Sequence, residues 1–229
     1  MTTIALIHAT PASIEPATLA FAEHFPEADL WHILDDRLSS DADRAGGMTP
    51  ELRRRMLALI EYAVDGGADG VQLSCSMYGS VAQIAVDLWR VPVAGSDEAM
   101  FRAVYDRGWE SIGLIGSLQS AVEDSELRLR ATFASLDGGR ERDLDIAGVV
   151  ADGAVNAAAA KDVEGVAEAV TAAAEPLADR VDGLLLCQYS LSGSSAAVAE
   201  RFPQPVLSPP GVAAAHMRRR LLTAASVEA

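Results

Sequence analysis

The chain has 229 residues, half of them hydrophobic, so it is long enough to bury one large core or two small ones. Its 33 acidic residues against 18 lysines and arginines give a formal net charge of −15, which argues against a nucleic-acid partner and an anionic membrane surface. Two cysteines do not make a disulfide framework, and we find no signal peptide and no apolar run of the roughly 18 residues that span a bilayer. We therefore expect a cytoplasmic protein with reduced thiols.

The first half of the chain alternates between strand and helix patterns. Apolar runs predict the strands, and apolar residues at helical spacing predict the helices between them. The strands are predicted at 4–7, 29–34, 71–74 and 92–94, and the helices at 13–24, 50–65, 80–89 and 97–106. The helix at 50–65 has the clearest start, because Thr49 can cap it and Pro50 fits its first turn. The polar segment 37–47 is predicted to be a mobile loop.

The second half repeats this order. Strands are predicted at 111–115, 143–150, 182–187 and 205–207, and helices at 120–136, 161–178 and 212–222. Ser120 and Glu123 form a capping-box pattern at the start of the first of these helices. The sequence at 182–187, Asp-Gly-Leu-Leu-Leu-Cys, is similar to that at 69–75, Asp-Gly-Val-Gln-Leu-Ser-Cys. Strands that alternate with helices predict an α/β fold with parallel sheets covered by helices on both faces.

Each half carries one of the two cysteines at the same point of the pattern. Cys75 and Cys187 close apolar strands and precede hydroxyl-rich turns that open a helical pattern. Ligands of open parallel sheets bind at this edge, where helix N-termini stabilise a thiolate and can hold a carboxylate. A single cysteine there is more often a buried core residue. Two of them, about half a chain length apart, favour a shared function.

Other polar residues fall near the same strand ends. His8 follows the first strand and either binds a carboxylate or tunes a thiolate, or is a partly exposed loop histidine. Asp35 and Asp36 either orient a substrate or form a solvated strand end, and we favour the solvated strand end. We find no metal-ligand spacing, and the segment 113–120 lacks the three-glycine dinucleotide motif. We therefore expect neither a metal nor a nicotinamide cofactor.

The doubled pattern of strand, cysteine, turn and helix, followed each time by a Pro-Val strand, resembles the aspartate/glutamate racemase superfamily. Hydantoin racemases, maleate isomerases and arylmalonate decarboxylases belong to the same superfamily. The resemblance covers essentially the whole chain and implies two Rossmann-like α/β domains with pseudo-twofold symmetry and the active site in the cleft between them. Residues 1–96, joined by the helix 210–229, would form one domain and residues 97–209 the other. The resemblance also implies that no cofactor is needed and that the chain can form a homodimer.

The resemblance assigns roles to residues of this chain. Cys75 and Cys187 would be the catalytic acid/base thiols. The substrate-binding residues would be His8, Thr10, Ser76, Met77, Gly116, Ser117, Gln188 and Tyr189. Amino-acid racemases of the family commonly have Asn-Thr or Thr-Thr after the first cysteine and Thr-His after the second, so this chain differs at both positions.

The function implied is that of a cofactor-independent racemase or isomerase of a small carboxylic acid. One thiol would remove a proton from carbon, and the other would return a proton to the opposite face. Two alternatives fit the same residues. One is an enzyme similar to maleate isomerase or arylmalonate decarboxylase with one essential cysteine, and the other is a carboxylate-binding protein without catalysis.

Overall fold

The computed structural model describes the backbone of residues 1–227 and the side chains of residues 1–223. Its strands are β1 (Thr2–His8), β2 (Ala28–Leu34), β3 (Gly70–Leu73), β4 (Val93–Ala94), β5 (Ser111–Gly116), β6 (Asp145–Val150), β7 (Gly183–Leu186) and β8 (Val206–Leu207). Its helices are α1 (Ile14–His24), α2 (Leu38–Ala45), α3 (Pro50–Asp65), α4 (Gly79–Leu88), α5 (Glu98–Arg107), α6 (Gln119–Leu136), α7 (Ala154–Ala159), α8 (Val163–Ala174), α9 (Ser195–Arg201) and α10 (Pro209–Val227). Within the described residues, none of these helices is both long and apolar enough to cross a bilayer.

The chain divides into two compact units with the same sheet topology. One unit contains Met1–Ala99 and the segment from Pro210, and the other contains Met100–Pro209. The first sheet has the order β2-β1-β3-β4 and the second has the order β6-β5-β7-β8, and all strand pairs are parallel. The predicted α/β fold with two parallel, helix-covered sheets is therefore confirmed.

The core of the first unit forms because its central strands are apolar on both faces. Residues 4–7 of β1 are at most 1% exposed, which is typical of a strand covered by helices on both sides. On one face α3 packs through a stripe of apolar residues that includes Met56 and Ile60, and Thr49 caps this helix by accepting from the Leu52 amide. On the other face, Met217 of α10 is fully buried over Gly70, where an added Cβ would lie 3.0 Å from the Met217 sulfur.

The internal repeat is visible in the backbone of both units. Asp69, just before β3, accepts a hydrogen bond from the Thr3 amide at 2.7 Å. Asp182, just before β7, accepts one from the Ser111 amide at 2.9 Å. In each unit the aspartate before the third strand therefore satisfies an amide at the start of the first strand.

Three sequence-based expectations about secondary structure are wrong. The segment 37–47 is not a loop, because its residues 38–45 form α2, with Leu38 and Ala42 fully buried on one face and Gly46 ending the helix at a φ of 73°. The capping box is not formed, since the cap of α6 is Leu118 and the Glu123 carboxylate instead accepts from Gln119. The long helix predicted at 161–178 is shorter, and the preceding α7 was not predicted at all.

Candidate functional site

In the first unit, Cys75 lies at the carboxyl edge of the sheet, two residues after β3. Its backbone is extended, with φ −116° and ψ 120°, and the next three residues form a single 3₁₀ turn that runs directly into α4. The Tyr78 amide closes this turn by donating to the Cys75 carbonyl at 3.2 Å. Cys75 is a half-buried thiol. The predicted succession of strand, cysteine, turn and helix is therefore present, and the ten-residue α4 begins directly after the turn. In general, a helix N-terminus favours a nearby negative charge.

Tyr78 connects this turn to α2. Its side chain is fully buried, and its hydroxyl donates to the Leu38 carbonyl at 3.0 Å. Burial, with a smaller electrostatic contribution from Cys75, raises the pKa of Tyr78 to about 12. The phenol therefore keeps its proton at neutral pH and serves as a hydrogen-bond donor within the fold.

A second connection to α2 comes from Arg55 of α3. Its guanidinium contacts Asp35 with Nε at 2.6 Å and Asp41 of α2 with Nη1 at 2.8 Å. The hydrogen bond from Arg55 lowers the pKa of Asp41, which is therefore ionised at neutral pH. Asp35 was interpreted as a solvated strand end, but the structure places it in this ion pair, with its side chain only 15% exposed.

A buried polar cluster joins three strands of the first unit on one face of the sheet. His8 is completely buried, and its Nδ1 lies 2.9 Å from Ser13 Oγ and 3.0 Å from Ser74 Oγ. The two hydroxyls are 2.9 Å apart, and His8 Nε2 lies 3.0 Å from Nδ1 of His32. The ends of β1, β2 and β3 are therefore linked to one another and to the residues that begin α1. We call these four residues, His8, Ser13, His32 and Ser74, the histidine cluster.

Thr18 determines which nitrogen carries the hydrogen in each imidazole. Its hydroxyl donates its only hydrogen to the Ile14 carbonyl at 2.8 Å, so it can only accept from His32 Nε2, 3.4 Å away. His32 Nδ1 is then an acceptor, and His8 donates to it from Nε2. His8 Nδ1 is left to accept from a hydroxyl. Because Ser13 donates to the Thr10 carbonyl, that hydroxyl is Ser74, which also lies 3.3 Å from the Ile7 carbonyl. The hydrogen bonds therefore run in one direction, from Ser74, through His8 and His32, to Thr18 of α1.

Both imidazoles of the histidine cluster are neutral. Burial, with a smaller contribution from the adjacent His32, lowers the pKa of His8 from 6.5 to about 4. Burial also lowers the pKa of His32. With both ring nitrogens occupied, His8 is placed to hold the strand ends in position. Direct contact of His8 with substrate stays a prediction.

The remaining predicted residues of the first unit lie at the same edge of the sheet. Thr10 follows β1 and caps the 3₁₀ turn at Pro11–Ser13, where its carbonyl accepts from Ser13 Oγ at 3.0 Å. Ser76 and Met77 are in the turn after Cys75, and both are partly exposed. Because β1 is paired with β3, the two turns are neighbours. The part of the chain that the structure describes has no group of three His, Cys, Asp or Glu residues that could hold a metal ion.

In the second unit, Cys187 directly follows β7. Its amide donates to the Ile115 carbonyl at 2.9 Å, which fixes it beside the end of β5. The thiol is buried, with 2% exposure, and the turn that follows is a six-residue 3₁₀ segment leading into α9, a helix of only seven residues. The two cysteines therefore share their place in the topology but not their surroundings, because Cys187 is more buried and further from a shorter helix.

Gln188 and Ser117 form the polar part of this second site. Gln188 Oε1 accepts from the Ser117 amide at 2.8 Å and from the Ser117 hydroxyl at 2.9 Å. Gly116 allows the turn before α6 to pack closely, since a Cβ there would lie 2.8 Å from a methyl group of Val122. Tyr189 is buried, with 4% exposure. The structure thus places Gly116, Ser117, Cys187, Gln188 and Tyr189 together at the carboxyl edge of the second sheet.

Sequence reasoning missed Ser13, His32 and Ser74 as partners of His8, and Arg55 as the partner of Asp35. The signal for His32 would have been that it lies on the same face of the sheet as His8. Leu6 of β1 is in register with His32 of β2, and His8, two residues after Leu6, shares its face. That register cannot be read from one sequence.

Solved proteins with a similar fold share two-domain α/β architecture with this chain at low sequence identity. A glutamate racemase isoform from Bacillus anthracis is 14% identical, with a TM-score of 0.73 over 97% of this chain and 82% of that chain. The chain has the aspartate/glutamate racemase fold. An allantoin racemase from Klebsiella pneumoniae is 15% identical, with a TM-score of 0.71 over 98% of this chain and 89% of that chain. An unliganded arylmalonate decarboxylase is 19% identical, with a TM-score of 0.59 over 96% of this chain and 93% of that chain.

The aspartate/glutamate racemase fold of these three proteins confirms the predicted resemblance at the level of the fold. No protein-family model matches the sequence, and no curated protein matches it. Because racemases and a decarboxylase share this fold, the reaction has to be argued from the residues at the two sites.

Proposed function

We propose that this protein is a cofactor-independent racemase or isomerase of a small carboxylic acid, with Cys75 and Cys187 as its acid/base pair. One observation carries the proposal: in two sheets of the same strand order, the third strand ends within two residues of a cysteine. The racemases that have this fold support the reaction class. The expected partner is a small carboxylate.

In the proposed reaction, Cys75 as a thiolate removes the proton from the carbon next to the carboxylate. The C–H electrons move into the carboxylate to give an enediolate, and the Cys187 thiol then protonates the opposite face of the same carbon. The product has inverted configuration, Cys75 is left as a thiol, and Cys187 is left as a thiolate, ready for the reverse reaction. The weak acidity of the C–H bond is the barrier, so amide donors at the strand ends have to stabilise the enediolate.

The first site is better equipped for the thiolate role than the second. Cys75 is half-buried and leads through one turn into the ten-residue α4. Cys187 is 2% exposed, and its surroundings favour a neutral thiol because burial disfavours the charged form. We therefore assign Cys75 as the base in the resting enzyme and Cys187 as the acid.

Hydrogen exchange at carbon tests the proposal. The protein is incubated in deuterated water with single enantiomers of carboxylic acids, amino acids and hydantoins, and proton NMR follows the signal at the reacting carbon. A racemase replaces this hydrogen by deuterium in an acid that is otherwise not consumed. Cys75→Ser and Cys187→Ser should each lower turnover by at least 1000-fold, of the order expected for loss of a catalytic acid or base, while circular dichroism stays unchanged. Full activity of Cys187→Ala would contradict the two-thiol mechanism.

The different surroundings of the two cysteines favour one second candidate, a decarboxylase with a single catalytic thiol. In that reaction the bond between the central carbon and one carboxyl group breaks, and the carboxyl group leaves as carbon dioxide. The bond electrons stay on the remaining acid as an enediolate, which takes a proton from the Cys75 thiol. The arylmalonate decarboxylase with this fold supports the candidate. It predicts that carbon dioxide is released and that Cys187→Ala stays active. A carboxylate-binding protein without catalysis would show neither exchange nor carbon dioxide.

A further inference from the structure

The orientation of the Gln188 amide is fixed by Ser117. A backbone N–H can only donate, so the Gln188 atom that faces the Ser117 amide at 2.8 Å has to be the carbonyl oxygen. The Ser117 hydroxyl donates to the same oxygen at 2.9 Å. An amide rotated by 180° would place the Nε2 donor against the Ser117 N–H donor, so this orientation is excluded. The Nε2 amino group of Gln188 therefore points away from Ser117.

This amino group is available to a ligand. Within the residues described by the structure, Gln188 Nε2 makes no hydrogen bond, and the side chain is partly exposed. The backbone of Gln188 is extended, and its carbonyl accepts from the Leu191 amide at 3.1 Å, so the main chain is held as well as the side chain. Gln188 also directly follows Cys187. The second site thus presents two N–H donors in a fixed direction on the residue that follows Cys187.

We propose that Gln188 determines specificity by donating from Nε2 to a substrate oxygen, and that the group it binds is a carboxylate or amide carbonyl and not an ammonium. This inference rests on the proposed function, since it names the substrate class of the same site. The two N–H donors of Nε2 can bind an oxygen through its lone pairs. They cannot bind an ammonium, which is itself only a donor. A substrate with an ammonium at this position would leave Nε2 without a partner and place like partial charges in contact.

A matched pair of probes separates the two kinds of ligand. Methylmalonate and alanine share a methyl group and one carboxylate on the same central carbon, and methylmalonate has a second carboxylate where alanine has an ammonium. We expect the wild-type protein to bind methylmalonate at least tenfold more tightly than alanine by isothermal titration calorimetry. A tenfold ratio corresponds to about 1.4 kcal/mol.

Gln188→Glu is the decisive variant. The glutamate keeps one oxygen as acceptor for both Ser117 donors, and its second oxygen replaces the amino group with a charged acceptor of nearly the same shape. The ratio of methylmalonate to alanine affinity should fall at least tenfold and shift toward alanine. Gln188→Ala should lose the preference without reversing it. The control is Gln83→Glu on the exposed face of α4, which makes the same charge change and should leave the ratio unaltered.

The outcomes keep this inference apart from the proposed function. If Gln188→Glu keeps the wild-type ratio, or if the wild-type protein binds neither probe at millimolar concentration, the role of Gln188 is wrong, even where both cysteines prove essential for exchange. If the ratio reverses in Gln188→Glu but no acid undergoes exchange or decarboxylation, the binding role stands and the proposed function fails. Thermal melting of each variant shows that the fold is retained.

Discussion

Nε2 of His8 lies 3.0 Å from Nδ1 of His32, inside the first unit and out of contact with solvent at His8. Two imidazoles at this distance can share one hydrogen only when at least one of them is unprotonated. Since the Ser13 and Ser74 hydroxyls occupy the far side of His8, the pair is a neutral structural element that joins the strand ends beside Cys75.

The histidine pair should make the stability of the protein depend on pH in a defined range. The pKa of His8 is about 4 in the folded protein and 6.5 in the unfolded chain, so between these values the unfolded state binds more protons. The contribution of His8 to the free energy of unfolding is therefore fully present above pH 6.5. It falls as the pH drops toward 4, by at most about 3 kcal/mol for a pKa shift of this size. Urea denaturation at a series of pH values measures it. The control is His24→Gln, which replaces a histidine whose side chain is 38% exposed and should leave this pH dependence unchanged.

Ser13→Ala should destabilise the protein by about 1–3 kcal/mol. The hydroxyl of Ser13 is within hydrogen-bond distance of His8 Nδ1 and Ser74 Oγ and also donates to the Thr10 carbonyl, and all of this takes place in a buried setting. Urea denaturation of the variant at pH 7 measures the loss. Ser120→Ala, at an exposed position in the first turn of α6, should change stability by no more than about 0.5 kcal/mol. Equal effects of the two substitutions would contradict a structural role for the cluster.

Tyr78→Phe should loosen α2 while the rest of the fold stays in place. The substitution leaves the Leu38 carbonyl without its buried donor and removes a tie between the Cys75 turn and α2, at a cost of about 1–2 kcal/mol. Hydrogen–deuterium exchange followed by mass spectrometry should report faster exchange in Leu38–Ala45 and an unchanged rate in α6. Tyr62→Phe, which alters a side chain with 61% exposure, should leave the exchange of α2 unchanged.

Arg55→Lys should lower stability more than Arg54→Lys. Arg55 holds two carboxylates, Asp35 and Asp41, with different nitrogens, and a single ammonium cannot reproduce that geometry. Its side chain is 37% exposed, so screening by water limits the expected loss to about 1 kcal/mol. Arg54 pairs with Glu51 at an exposed position, where both side chains are about 70% exposed, and its replacement should cost under about 0.5 kcal/mol. Thermal melting at low and high salt compares the two variants.

Local patterns were enough to predict the fold. The apolar run at 4–7 could only be a buried strand, and Thr49 with Pro50 fixed the start of α3. The segment that became α2 gave no such signal, since only Leu38 and Ala42 of its residues are buried and much of its anchoring comes from Arg55 and Tyr78, which are distant in sequence. Tertiary contacts override local propensity in such a segment.

The same limit applies to the sites. The position of each cysteine follows from the end of its strand, so the sequence could predict it. The hydrogen bonds of His8 to His32 and of Ser117 to Gln188 join residues 24 and 71 positions apart, and both depend on the pairing of neighbouring strands. A resemblance could suggest that Gln188 binds substrate, but only the fixed direction of its amide indicates which kind of group it would accept.

The packing of Met217 over Gly70 has a consequence for how the chain is synthesised. Translation produces Met100–Pro209 in full before it reaches α10, the helix that covers one face of the first sheet. On the ribosome, the unit that begins at Met1 therefore keeps one apolar face of its sheet uncovered until α10 is made. The unit Met100–Pro209 can fold before that. We expect nascent chains stalled before residue 209 to bind chaperones through the face of β3 that α10 covers in the finished protein.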